Sequence, residues 1–254
     1  MSVQMSIEQL QTHIEKALNE LDALLSGWMV SPDVNDQKRA QILSYWIKTY
    51  TRMLRQEKNF NPASIPRLGR RQIVNVDFGF RVGSELGGLH YAVIMDKKNS
   101  QNANTATVVP LGSLKESFVP TRNKVKLSNG VYDSLQEKAQ AQLNQSTAII
   151  NGFVSDSELL KLSEEKRAEE IGRRYTLAKS MLDGARASVE KMKKLKHGSV
   201  ANISQLTTIS KMRIKEPVTP KDALYGVKLS MEDMAAIEQG IIELYITKGN
   251  FKNS

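Results

Sequence analysis

The chain of 254 residues contains no cysteine and only three histidines, at positions 13, 90 and 197. Disulfides, thiolate zinc sites, iron–sulfur clusters and cysteine nucleophiles are closed to it, and histidines this scattered argue against a metal centre. No cofactor is expected. Chemistry at neutral pH therefore falls to imidazoles, hydroxyls, carboxylates and cations. An imidazole near its ordinary pKa of ~6.5 serves there as acid or base. His90 follows the stretch from Gly79 to Gly88, which contains four glycines and is longer than a tight hairpin needs. Long connections between strands often carry function.

The formal net charge of +9 is unevenly distributed. Residues 1–65 hold 7 Lys/Arg and 7 Asp/Glu, whereas residues 66–128 hold 10 and 4, an excess of +6. Residues 129–198 contribute +2 and residues 199–254 +1. The middle segment is thus the expected meeting place for a polyanion. Lys191, Lys193, Lys194 and Lys196 form a second basic run, but at the end of a helix they also complement its dipole, which is the favoured reading.

The elements that must position these groups follow from hydrophobic rhythm. With 40% hydrophobic and 25% charged residues the composition is that of an ordinary globular protein, and no apolar run approaches the ~18 residues of a membrane span. The opening residues lack the apolar core of a secretory leader, so the expected location is cytoplasmic. Ser6 and Gln9 form a capping box before a helix over 6–25 that stops near Gly27. A second helix starts around Ser31 and Pro32, carrying Leu43, Trp46, Ile47, Tyr50, Met53 and Leu54 on one stripe. Strands are expected at 72–78, 90–95, 106–111 and 124–127. Helical sequence runs from Asp133 to Lys196, strand-like sequence returns at 199–209, and a last helix occupies about 230–246. The chain divides into an N-terminal helical hairpin (1–65), a first β segment (66–131), a helical insertion (132–197), and a final segment of strand and helix (198–254).

Residues 70–115 carry a more specific pattern. Ile73 to Phe78, the loop residues Gly83-Ser84-Glu85 with Gly87-Gly88, then Ala92-Val93-Ile94 and Val109-Pro110-Leu111 resemble, in order, the opening strands and loop of the PemK/MazF family of toxin endoribonucleases. Residues 199–214, with Ser199, Val200, Gln205, Thr208, Ile209, Lys211 and Arg213, look like a later strand of that family. The resemblance covers roughly residues 70–131 and 198–248, about half the chain. It implies an α+β fold: a small SH3-like β-barrel with accessory helices, to which this chain adds the hairpin and the insertion. An inserted helical hairpin suits one barrel edge because its two ends lie close together.

The resemblance further implies a homodimer, neutralised by a separate antitoxin protein, that cleaves single-stranded RNA without a metal by attack of the 2′-hydroxyl on phosphorus. The family's principal arginine falls at His90 and its threonine at Gly112, followed by Ser113. Both principal residues are therefore replaced. His90 preserves an acid or base for the reaction, while Ser113 or Thr208 must supply the missing hydroxyl, with Glu85 as the loop carboxylate. Expected RNA contacts are Arg81 and Lys115 to phosphate, together with Arg70 and Arg71, Gln205 to a base edge or sugar, and Tyr91 as a stacking surface. The rival expectations on the same barrel are a non-catalytic nucleic-acid binder and a protein-targeting, gyrase-type toxin or regulator. The extra helices are open to two roles, covering the loop at 79–88 or fixing the oligomer.

Overall fold

A computed structural model describes residues 5–128, 130–193 and 198–246. The chain separates into two compact units, residues 1–60 and 61–254.

The first unit is a pair of helices, α1 (Ile7–Val30) and α2 (Val34–Gln56). The expected capping box is present, Ser6 accepting from the Gln9 amide while the Gln9 side chain accepts from Ser6. Helix α1 runs through Gly27 instead of stopping there, because nothing packs near that position and one glycine costs a helix only about 1 kcal/mol. The N-cap of α2 is Asp33, not Ser31: its carboxylate accepts from the Asn35 amide at 2.8 Å, with Pro32 before the cap. Arg39 lies 4.1 Å over the Trp28 ring, and Trp46 stacks on Tyr50. No residue of either helix is buried.

The second unit is α+β. Strands β1 (Ile73–Asp77), β2 (Leu89–Ile94), β3 (Thr105–Ser113), β4 (Lys124–Lys126), β5 (Ser199–Asn202), β6 (Thr207–Ser210) and β7 (Ile214–Glu216) form one antiparallel sheet. The order is β4-β5-β3-β2-β1-β7, with β6 also on β3. The strand expected over 199–209 is broken by a 3-10 turn at Ile203–Gln205. Its halves pair with different stretches of β3, β5 with 111–113 and β6 with 105–108. Pro110 lies where that pairing lapses, and proline has no N–H to give a ladder. The short β7, absent from the sequence reading, follows a second 3-10 turn and pairs with β1.

Both faces of the sheet are covered, which explains the continuous apolar runs Ile73-Val74, Ala92-Val93-Ile94 and Val108-Val109. On one face Ile73, Val93, Val109 and Leu111 pack with residues 223–229, the start of α3 (Val131–Ser155) and α6 (Met231–Tyr245). On the other, Val74, Val76, Phe78, Ala92, Ile94 and Val108 close over Ile65, Leu68, Ile209 and Ile214.

The insertion is an antiparallel pair, α3 and α5 (Glu164–Met192), joined through the short α4 (Ser157–Lys161). Ser146 Oγ donates to the Ala178 carbonyl across the pair, and Arg174 bridges Glu170 and Asp156 near the turn. The insertion leaves after β4 and returns into β5, which pair with each other, and the Leu127 amide donates to the Ser199 carbonyl at 3.0 Å. A Cβ on Gly130 would lie 2.5 Å from Ser199 Oγ, so this close junction requires glycine.

Lys138 fastens α3 to the turn before α6. Its ammonium donates to the carbonyls of Asp222, Ala223 and Tyr225 at 3.1, 2.8 and 2.8 Å. Burial pushes its pKa down to about 8, with the nearby Asp222 charge opposing the shift. Replacing Lys138 by Met leaves three carbonyls without this donor, so urea denaturation of Lys138→Met should show a loss of about 1–3 kcal/mol. Unchanged stability would mean that the carbonyls are served as well by water.

Candidate functional site

Two adjoining cavities meet at His90, Gly112 and Ser113. His90 comes from β2, where it stands opposite Val76 of β1. Gly112 and Ser113 end β3, opposite Val200 and Ser199 of β5. The first cavity, about 240 Å³, is completed by Leu89, Tyr91, Leu111, Val131, Tyr132, Gly198 and Ser199. The second, about 550 Å³, extends past Lys115, Phe118, Val119 and Thr121 to Lys124 and Asn202, with Leu86 of the glycine loop on its wall. Residues 90, 112 and 113 border both cavities, but their side chains divide between the faces of the sheet: His90, level with Gly112, lies on the face of Val76 and Phe78, where Lys115 and Lys124 line the larger cavity, whereas Ser113, opposite Ser199, lies on the face of α3.

His90 is half-buried. Its ring centroid lies 6.5 Å from that of Phe78. Desolvation lowers its pKa below 6.5, partly opposed by a hydrogen bond with the Gly87 backbone. At pH 7 the ring is mainly neutral, the form that accepts a proton.

The loop beside it is held at its base and on its flank. The Gly88 amide donates to the Gly79 carbonyl and the Phe78 amide to the Gly88 carbonyl, both at 2.8 Å. Gly79 and Gly88 have φ of 77° and 82°, a region that side chains disfavour, and a Cβ on Gly87 would lie 2.8 Å from the Gly79 oxygen. Gln205 Oε1 accepts from the Leu86 amide at 3.2 Å. The Gln205 side chain is thus a latch between the loop and the 3-10 turn that separates β5 from β6.

The other expected site residues divide. Ser113 and Lys115 join His90 at the cavities. Glu85 is exposed in the loop and pairs with Arg81 at 3.5 Å, while Arg81 Nε also donates to the Phe78 carbonyl; neither lines the two cavities. Thr208 lies opposite Thr107, five residues along β3 from Gly112 and so roughly 17 Å away at the usual strand rise. Neither hydroxyl considered for the Gly112 position stands beside the His90 ring: Thr208 is too far along β3, and Ser113, one residue on from Gly112, projects from the opposite face of the sheet. Tyr91 lines the smaller cavity, packs against the helix-side core and carries Lys191 5.7 Å from its ring centre; burial raises its pKa.

Two further candidate cations are occupied elsewhere. Arg70 bonds the Met95 carbonyl and Glu238 of α6, and Arg71 Nε donates to the Leu229 carbonyl at 2.8 Å. Lys191 pairs with Glu216, Lys193 with Glu190, while Lys194 and Lys196 lie outside the described residues. Arg70 and Arg71 of the +6 segment are thus tied to the fold. The residues that sequence reasoning missed are Lys124, Phe118 and Tyr132. Their shared signal is weak: each lies near the seam between the β segment and the insertion, which only folding brings beside His90. Among the described residues no group of three His, Asp or Glu side chains is placed to hold a metal ion, and no helix is long and apolar enough to cross a membrane.

No protein-family model matches the sequence, and no curated protein matches it either.

The ring environment has a direct readout. In NMR titration of the histidine ring protons, His90 should have a midpoint below 6.5. A midpoint above 6.5 would show that the cavity stabilises the imidazolium and would reverse its assignment as a proton acceptor.

Proposed function

We propose that the protein is a toxin-like, metal-independent endoribonuclease acting on single-stranded RNA, with the larger cavity as its substrate groove. The observation that carries this reading is that His90 lines a groove that also holds Lys115 and Lys124. The order of strands and loop that resembles the PemK/MazF family supports it. So does the course of residues 207–216, which pair first with β3 and then, after one 3-10 turn, with β1; we read the sheet as the SH3-like barrel of that family. On the same reading the protein acts in the cytoplasm, is a homodimer and is neutralised by a separate antitoxin.

In the proposed reaction the neutral His90 ring takes the proton of the ribose 2′-hydroxyl. The 2′-oxygen forms a bond to phosphorus as the bond from phosphorus to the 5′-oxygen breaks. The departing oxygen takes a proton from a lysine ammonium or from water, leaving a 2′,3′-cyclic phosphate and a 5′-hydroxyl. The ammonium groups of Lys115 and Lys124 offset the charge that grows on the phosphoryl oxygens. Phe118, in the same cavity, offers a stacking surface to a flanking base.

Purified protein should cut unstructured RNA in excess EDTA and leave a 5′-hydroxyl end, and His90→Ala should slow cutting by at least ~10²-fold. The rate should rise with pH through a midpoint below 6.5 and then level, because the lowered pKa keeps the ring unprotonated above it. A Cβ at Gly112 meets nothing within 4 Å and its backbone is not left-handed. Gly112→Thr should therefore fold normally and raise the cutting rate by supplying a hydroxyl beside His90. Salt-sensitive RNA binding without cleavage, in wild type and Gly112→Thr alike, would favour the binder instead.

A further inference from the structure

We infer that the N-terminal hairpin is a self-association module: α1 and α2 of one chain pair with α2 and α1 of a second copy to form a four-helix bundle. The inference does not use the proposed chemistry; it rests on that reading only in placing the contact of the proposed homodimer in the hairpin.

A helix with an apolar stripe gains its stability by burying that stripe. Yet Ile7, Leu10, Ile14 and Leu18 of α1 and Tyr50 and Leu54 of α2 are between 45% and 85% exposed. These residues recur at helical spacing, so each helix presents one unfinished stripe. Two helices alone cover too little of each other, whereas four give every stripe two neighbours.

Charge selects the partner. Helix α1 carries Glu8, Glu15, Glu20 and Asp22 against Lys16, a net −3; α2 carries Lys38, Arg39, Lys48, Arg52 and Arg55 against Asp36, a net +4. A two-fold axis places the acidic helix of each copy beside the basic helix of the other, so one surface is complementary to itself. Residues 1–65 as a whole are neutral, and no net repulsion opposes the pairing.

The full chain should sediment at twice its 28.4 kDa mass. Ile14→Asp with Leu18→Asp should return it to the monomer with helical circular dichroism retained. Two charge variants at exposed positions keep the test open if that pair unfolds the hairpin. Glu15→Lys with Asp22→Lys makes α1 basic, and Lys48→Glu with Arg52→Glu and Arg55→Glu makes α2 acidic. Each should weaken self-association about tenfold at low salt. An equimolar mixture of the two should regain it, because in the mixed dimer every basic helix again meets an acidic one. A wild-type monomer, a dimer that survives Ile14→Asp with Leu18→Asp, or a mixture no tighter than its components would each overturn the inference. The second outcome would place the dimer contact elsewhere.

Discussion

Strand β3 is the constraint on which the rest of the second unit depends. Its nine residues pair along one side with β2 and along the other with both β6 and β5. That second side cannot be one uninterrupted partner: Pro110 has no N–H to offer, and the chain opposite turns through Ile203–Gln205 before pairing resumes. The interruption has consequences on both sides. It carries the chain round to β7 and the far edge of β1, and it places the Gln205 side chain against the glycine loop.

The candidate site lies at the end of this strand, where two-sided burial gives way to solvent. Residues deeper in the sheet, such as Val93 and Val109, are sealed by the helices on one face, while Val74 and Val108 are sealed on the other. Near Leu89–His90 and Gly112–Ser113 the sheet is open, bordered by the loop at 114–121 and by the start of α3. A half-buried imidazole there loses hydration and holds its proton less firmly. The same partial burial that makes it a proton acceptor keeps it within reach of a ligand.

Several cationic side chains, the expected RNA contact Arg70 among them, prove to be fasteners. Lys211 is almost fully buried and donates to the carbonyls of Ser100 and Gln101 at 2.9 and 3.1 Å, and Arg213 donates to the carbonyl of Phe78 at 3.0 Å. Arg70 and Lys138 do the same between sheet, helix and turn. Long cationic side chains satisfy backbone oxygens that loops leave unpaired, and a buried carbonyl without a donor is costly. Charge counted along the sequence therefore overstates the charge left for a polyanion.

The sequence by itself determined the element types, because a 3.6-residue apolar rhythm and a run of β-branched residues each suit one backbone period. It also determined the close-ended insertion and the candidacy of His90 and Ser113. It misplaced the end of α1 and the cap of α2, since local signals at Gly27 and Ser31 compete with equally good neighbours whose small energy differences only the folded geometry resolves. Only the tertiary structure decided which groups share a cavity. Lys124 and Phe118 line the cavity that His90 borders, whereas Thr208 does not and Gln205 is turned to the loop, because strand register and the break opposite Pro110 set distances that spacing along the chain does not encode.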